Sequence, residues 1–130
     1  DDDGWDVGEY DNGDLTATFS GSNASDNGED DDDGNGFDLN ENGHGTLDAT
    51  FRVVQANSNG TGSESGDGIE LDESDCGDLV ATLTSTSAHH NEDDGIEVDE
   101  NDCGNLDLRL QASQVWANGS DGVAADQEDD

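Results

Sequence analysis

The two cysteines are the residues of this chain whose chemistry is easiest to anticipate. Cys76 and Cys103 each stand directly before a glycine, at matching places in two stretches of similar sequence. Matching places in neighbouring repeats can lie at the same end of a sheet, where two sulfurs come within bonding reach. We therefore predict a disulfide between Cys76 and Cys103, which favours an extracellular protein. The alternative is a pair of free thiols in a cytosolic protein.

Metal binding is the second kind of chemistry to weigh. Asp31, Asp33 and Asn35 imitate the start of an EF-hand loop, but the bidentate glutamate that closes such a loop is missing. We predict weak calcium binding there and no required cofactor. His44 occupies the place that the cysteines hold in other repeats, so a zinc or copper site of one histidine and two thiolates is an alternative. It lacks a CxxC spacing and a fourth ligand.

Three sequons mark asparagines that could carry glycans, namely Asn23, Asn59 and Asn118. Each follows an alternating segment, in a connection or in the C-terminal region. We predict glycosylation at these three positions, which again points outside the cell. No GxSxG, HExxH or P-loop motif is present, and no carboxylate pair is marked as buried. We therefore predict no catalytic residues and no enzyme activity.

Four copies of one unit position these residues. A second glycine follows each initial glycine by nine residues, and a leucine follows two residues later. The initial glycines are Gly4, Gly36, Gly68 and Gly95, so the units start 32, 32 and 27 residues apart (36−4, 68−36, 95−68).

Each unit contains two segments of alternating apolar and polar residues, as in Leu47, Ala49, Phe51 and Val53. A period of two with one wet face is typical of a strand packed on one side. We predict an all-β fold, an antiparallel two-sheet β-sandwich of jelly-roll or Greek-key type built from four two-strand units. Residues 1–130 form one domain that ends in an acidic tail at 117–130. A solenoid of hairpins is the alternative.

The charge of the chain is extreme, with 36 acidic residues against two basic ones and a formal net charge of −34. Only 21 of 130 residues are Leu, Ile, Val or Phe, a composition typical of disorder. Regular apolar positions favour instead a folded domain of an extreme halophile, in which concentrated salt screens the carboxylates. We predict that folding needs high salt. Such a surface excludes nucleic-acid binding, and no apolar run is long enough for a membrane span.

These features predict a structural protein of a halophile's exterior, located outside the cell or on a cell or virion surface. It would be a filament, pilus or surface-coat subunit that self-associates through strands. Val115 and Trp116 lie outside the repeat pattern and are candidate subunit contacts. The alternatives are a secreted module that binds calcium or carbohydrate, and an acidic mimic of DNA.

Overall fold

A computed structural model describes residues 3–28, 34–60 and 66–129 of the chain. Regular structure within these ranges consists of short strands, and the chain winds through them around a long axis. One full turn around this axis is called a coil. The first two coils contain β1 (Trp5–Glu9), β2 (Leu15–Ser20), β3 (Phe37–Gly43), β4 (Leu47–Arg52) and β5 (Gln55–Asn57). The next two contain β6 (Ile69–Asp75), β7 (Leu79–Thr84), β8 (Ser87–His89), β9 (Ile96–Asp102), β10 (Leu106–Gln111) and β11 (Gln114–Trp116). A further strand, β12 (Val123–Asp129), starts a fifth coil.

The strands form three parallel sheets, each made of equivalent strands from successive coils. Sheet A has the order β1-β3-β6-β9-β12, sheet B the order β10-β7-β4-β2, and sheet C the order β11-β8-β5. Pairing is in register, so Leu47 lies between Leu15 and Leu79. The predicted antiparallel sandwich is therefore wrong. The turn after the first strand of a unit leads into a different sheet, and each strand pairs with its copy in the next coil.

Corners between sheets B and C divide segments that looked like single long strands. The segment from Leu47 to Ala56 is β4 and β5, joined through Val53 at a φ of 55°. Gly21, Ser85 and Ala112 stand at the equivalent corners, with φ values of 63°, 54° and 53°. One left-handed residue turns the chain sharply enough to end one strand and start another.

The region predicted as an acidic tail contains β12. Val123 of this strand pairs with Ile96 of β9, and pairing continues in register to Asp129. Gly122 precedes it as the initial glycines precede the four repeats. This strand begins a fifth repeat that the sequence pattern did not reveal. Ala124 and Ala125 stand where the fourth unit has the larger Glu97 and Val98, and the surrounding residues are mostly acidic.

The core is a column of inward side chains that repeats from coil to coil. An aromatic cluster fills its N-terminal end, where Phe19 packs edge-on against Phe37 at 4.8 Å between ring centroids, and Trp5 covers both rings. The C-terminal end is more open, since Leu110, aligned with the fully buried Leu83, is 42% exposed.

Candidate metal centre and side-chain ladders

A ladder of asparagines follows the corner between sheets C and A. Asn59 Nδ2 donates to Asn91 Oδ1 at 2.9 Å, and Asn91 Nδ2 donates to Asn118 Oδ1 at 3.0 Å. Asn91 Nδ2 also donates to the carbonyl of Ala56 at 3.2 Å. Asn59 and Asn91 are buried, so each amide finds its hydrogen bonds within the stack.

A second ladder stands directly before the initial glycine of each coil. Its members are Asp3, Asn35, Asp67, Asp94 and Asp121, and the backbone N–H of each member after Asp3 donates to the side-chain oxygen of the member one coil earlier. The Asp94 N–H, for example, donates to Asp67 Oδ1 at 2.7 Å. This ladder places a polar side chain at the start of every strand of sheet A.

One level of the second ladder brings three carboxylates together. Asn35 donates its Nδ2 to Glu70 Oε2, whereas Asp67 at the matching place faces Glu97. Ligand oxygens of Asp67, Asp94 and Glu97 all lie within 4.8 Å of one another. Asp67 and Asp94 are buried and Glu97 is half-buried.

Burial and mutual repulsion make this group costly while it is ionised. Burial raises the pKa of Asp67, the Asp94 N–H lowers it, and the carboxylates of Glu97 and Glu70 raise it, so that the pKa is about 8. Burial, followed by repulsion from Asp99, also raises the pKa of Glu97. Carboxylate oxygens are ligands that calcium prefers, so the group of Asp67, Asp94 and Glu97 could hold a metal such as calcium.

The outer face of sheet A extends this negative potential along the molecule. Burial raises the pKa of Asp38 to about 6 and that of Glu70 to about 7, with further contributions from neighbouring carboxylates. The two arginines of the chain, Arg52 and Arg109, lie on β4 and β10 in sheet B. Because neither belongs to sheet A, the charge on this face must be balanced by protons or by cations from solution.

The predicted disulfide is confirmed. Cys76 and Cys103 are bonded, and their Cα atoms lie 4.7 Å apart in the turns that follow β6 and β9. That separation is one strand spacing, as expected for matching residues of consecutive coils. The bond leaves no thiolate to join His44, which is exposed, in the alternative soft-metal site.

The structure places the three sequon asparagines in different surroundings. Asn23 is exposed and forms an isolated bridge with Gln55. Asn59 is 0% exposed and Asn118 is half-buried, and both belong to the asparagine ladder. Glycosylation stays a prediction at all three, and a glycan on Asn59 would have to replace buried hydrogen bonds.

The residues predicted to bind calcium are only partly described. Asp31 and Asp33 lie outside the described residues, and Asn35 belongs to the second ladder. Sequence reasoning missed the group of Asp67 and Asp94, although their separation equals the 27-residue offset between the third and fourth units. That spacing is the signal that could have found it.

The candidate subunit contacts lie at the C-terminal end of sheet C. Val115 is half-buried against the core. Trp116 is 49% exposed, and its ring lies 4.7 Å from those of His89 and His90, measured between centroids. The tryptophan thus packs on its own chain while leaving half of its surface open.

Comparisons with known proteins place this chain in no family, since no family model, curated protein or solved structure matches it. Among the residues that the structure describes, no helix is long and apolar enough to cross a membrane. The disulfide is consistent with a secreted protein.

Proposed function

We propose that this protein is an extracellular structural element of an extreme halophile, a rigid β-solenoid rod that associates with further copies of itself through strands at its end. The observation that carries the proposal is the open C-terminal end of the core. There Leu110 and Val123, which continue buried columns of the interior, are 42% and 37% exposed. Apolar side chains left open at a sheet edge are typical of a contact surface.

The shape of this end supports contact through strands. Sheet A continues to β12, whereas sheets B and C end at β10 and β11, so the end has a step one strand high. Among the described residues, no strand pairs with the backbone groups on the outer edge of β10. A strand of a second copy laid against β10 would fill the step, pair these groups and cover Leu110.

Charge and covalent chemistry support the proposed habitat. A net charge of −34 opposes self-association in dilute buffer, and concentrated salt reduces the Debye length to about 3 Å or less. Contacts between copies would then form where salt is abundant. The disulfide between Cys76 and Cys103 favours a location outside the reducing cytosol.

Microscopy and light scattering test this proposal. In about 3 M KCl, chosen to screen the carboxylates, the wild-type protein should form rods longer than one molecule in negative stain. It should also show a concentration-dependent mass. The variant L110D should remain monomeric, because it places a charge in the contact. V53D is the matched control, since Val53 is 65% exposed at a corner away from the ends. A wild-type protein that stays monomeric at every concentration would exclude self-assembly.

A calcium-binding module is the second candidate, and the group of Asp67, Asp94 and Glu97 favours it. Calcium titration followed by calorimetry should show saturable binding that D67N weakens. D78N is the control, because Asp78 is an exposed acid outside that group. Equal binding by both variants would leave only nonspecific attraction to the acidic surface.

A further inference from the structure

A column of glutamates, distinct from the two ladders, lies inside the solenoid. It is on the inward face of sheet A, near the turn that leads into sheet B. Glu9, Glu41, Glu73 and Glu100 are paired in register from coil to coil, and Gln127 continues the column on β12. Adjacent members are therefore one strand spacing apart, about 4.8 Å. The group of Asp67, Asp94 and Glu97 stands at the other end of these strands.

The inner members of the column are removed from water. Glu41 is 1% exposed and Glu73 is 0% exposed. Among the described residues, no group donates a hydrogen bond of normal geometry to the carboxylate oxygens of Glu41 and Glu73, and the Gly45 N–H lies near enough to Glu41 to oppose the rise in its pKa that burial causes. Burying an ionised carboxylate without a partner costs several kcal/mol or more, so these groups need a compensating positive charge or a proton.

Gln127, which ends the column, carries an amide N–H donor where the other members carry a carboxyl group. Gln127 Nε2 donates to the carbonyl of Gly104 at 3.1 Å. In the interior, a Cβ built on Gly77 would overlap the Gly45 carbonyl oxygen and lie 2.6 Å from Glu73 Oε1. The Glu73 carboxylate and the Gly45 carbonyl thus approach the same point. At the matching point one end of the column has instead the amide donor of Gln127. Two acceptors that face each other require a cation or a proton between them.

We propose that one Ca²⁺ ion binds between the carboxylates of Glu41 and Glu73, with the carbonyl oxygen of Gly45 as a further ligand. Glu41 and Glu73 are register partners on adjacent strands, so both carboxylates can reach one ion, and calcium takes oxygen ligands at about 2.3–2.6 Å. One divalent ion balances two carboxylates. Glycine is required beside the column because the carboxylate and carbonyl oxygens occupy the space of a side chain at Gly45 and Gly77.

A proton is the competing occupant. Burial, contact with the Glu41 carboxyl and repulsion from Glu41 and Glu100 together raise the pKa of Glu73 to about 8. The groups that face Glu73 are therefore acids above and below it in the column. Calcium must displace any proton held there, so calcium binding strengthens as the pH rises towards that pKa. This site is independent of the proposed self-assembly.

The test measures how calcium shifts the melting temperature in about 3 M KCl at about pH 8.5, the salt chosen to suppress surface binding. The background variant is D67N, which weakens the other acidic group. Calcium should raise the melting temperature of D67N, and the rise should grow with the logarithm of calcium concentration. E73Q added to D67N should abolish the rise. At the exposed end of the column the Gln127 amide donates to the Gly104 carbonyl, and a glutamine at position 73 would have the Gly45 carbonyl at the matching place, so the variant is expected to fold.

The control replaces Glu92, an exposed glutamate in a connection, by glutamine in the same D67N background. E92Q makes the same chemical change outside the column and should leave the calcium response intact. A calcium crystal of D67N should give an anomalous peak between Glu41 and Glu73. A response that survives E73Q would overturn the proposal. So would a melting temperature that responds to pH but not to calcium, since the occupant would then be a proton.

Discussion

At the scale of single residues, the asparagine ladder is specific for an amide. Asn91 Nδ2 donates to the Ala56 carbonyl and to Asn118 Oδ1, while Asn91 Oδ1 accepts from Asn59. Aspartate at position 91 keeps the acceptor and loses both side-chain donors. The Ala56 carbonyl then loses the bond from Nδ2, and Asn118 Oδ1 keeps only the bond from the Asn91 backbone N–H. We expect N91D to lower the free energy of unfolding by about 1–3 kcal/mol, the cost of one buried polar group that loses its partner.

Urea unfolding in concentrated KCl measures this loss. N42D is the matched control, because Asn42 lies on β3 with its side chain exposed and the change adds the same charge. N42D should unfold close to the wild-type midpoint. Equal midpoints for N91D and N42D would mean that the ladder's amides contribute nothing beyond charge.

The sequence contained this ladder without revealing its role. Asn27, Asn59, Asn91 and Asn118 are spaced by the 32, 32 and 27 residues that separate the units. Two of them fall in sequons, and a sequon carries no information about burial. Stacked amides become visible as a ladder only when coils are known to lie in register, because only then do equal offsets mean adjacent side chains.

At the scale of elements, the disulfide connects two consecutive strands of sheet A through the turns that follow them. Its loop spans 27 residues, one whole coil. Closing a loop of that length in the unfolded chain corresponds to about 3–4 kcal/mol of stability. We expect the double variant C76A/C103A to lose about that amount. Reducing the wild-type protein with dithiothreitol should produce a similar loss in the same unfolding assay and none in the variant. A reduced wild type that keeps its full stability would show that the turns hold the coils together without the bond.

The glutamate column gives the protein an unusual dependence on pH. Glu73 has a pKa of about 8 in the folded chain against 4.5 in a free side chain. Between these values the unfolded chain has released a proton that the folded chain still holds, so stability is greatest at low pH and falls as the pH rises towards 8. Each pKa unit corresponds to about 1.4 kcal/mol. The buried Asp67 contributes with the same sign, since its pKa is also raised to about 8.

Denaturant unfolding between about pH 5 and pH 8, in concentrated KCl with EGTA, tests this dependence over the window set by Glu73. The wild type should lose stability across that range, E73Q should lose less, and E92Q should follow the wild type. Stability that rises with pH would show instead that Glu73 is ionised throughout.

Alternation along the strands revealed which side chains point inward, but it could not reveal the partner of each strand. Leu47, Ala49 and Phe51 are buried as the pattern predicts. Alternation of inward and outward residues occurs in antiparallel hairpins and in parallel coils alike. Only the conformation of the turns, which the alternation does not contain, decides between the two kinds of pairing. The strands of sheet C span three residues each, too few for any period to be recognised. They lie in segments that composition had marked as connections or as the ends of longer strands.

At the scale of the whole molecule, the repeat itself favours parallel stacking. Coils in register place glycine beside glycine and leucine beside leucine, as Leu15, Leu47, Leu79 and Leu106 show. In an antiparallel sandwich of hairpins, equal spacing of these residues along the chain would not bring identical residues side by side. The same stacking places acids beside acids, from Glu70 and Glu97 on the outer face to Glu41 and Glu73 inside. The electrostatic cost of the fold therefore grows with every coil.

That cost leads to a prediction for the intact chain. Carboxylates one strand spacing apart repel strongly when the Debye length is about 30 Å, as at about 10 mM salt, and weakly when it is about 3 Å, as at about 1 M. The 36 acids face only two bases, so little attraction within the chain offsets the repulsion. We expect dialysis to about 10 mM KCl to unfold the protein and return to about 3 M to refold it. Circular dichroism follows the strand signal in both directions. Sucrose at matched osmolality should fail to restore the signal, because it leaves the charges unscreened. A strand signal that persists at low salt would show that protons or tightly bound cations, rather than screening, neutralise the stacked carboxylates.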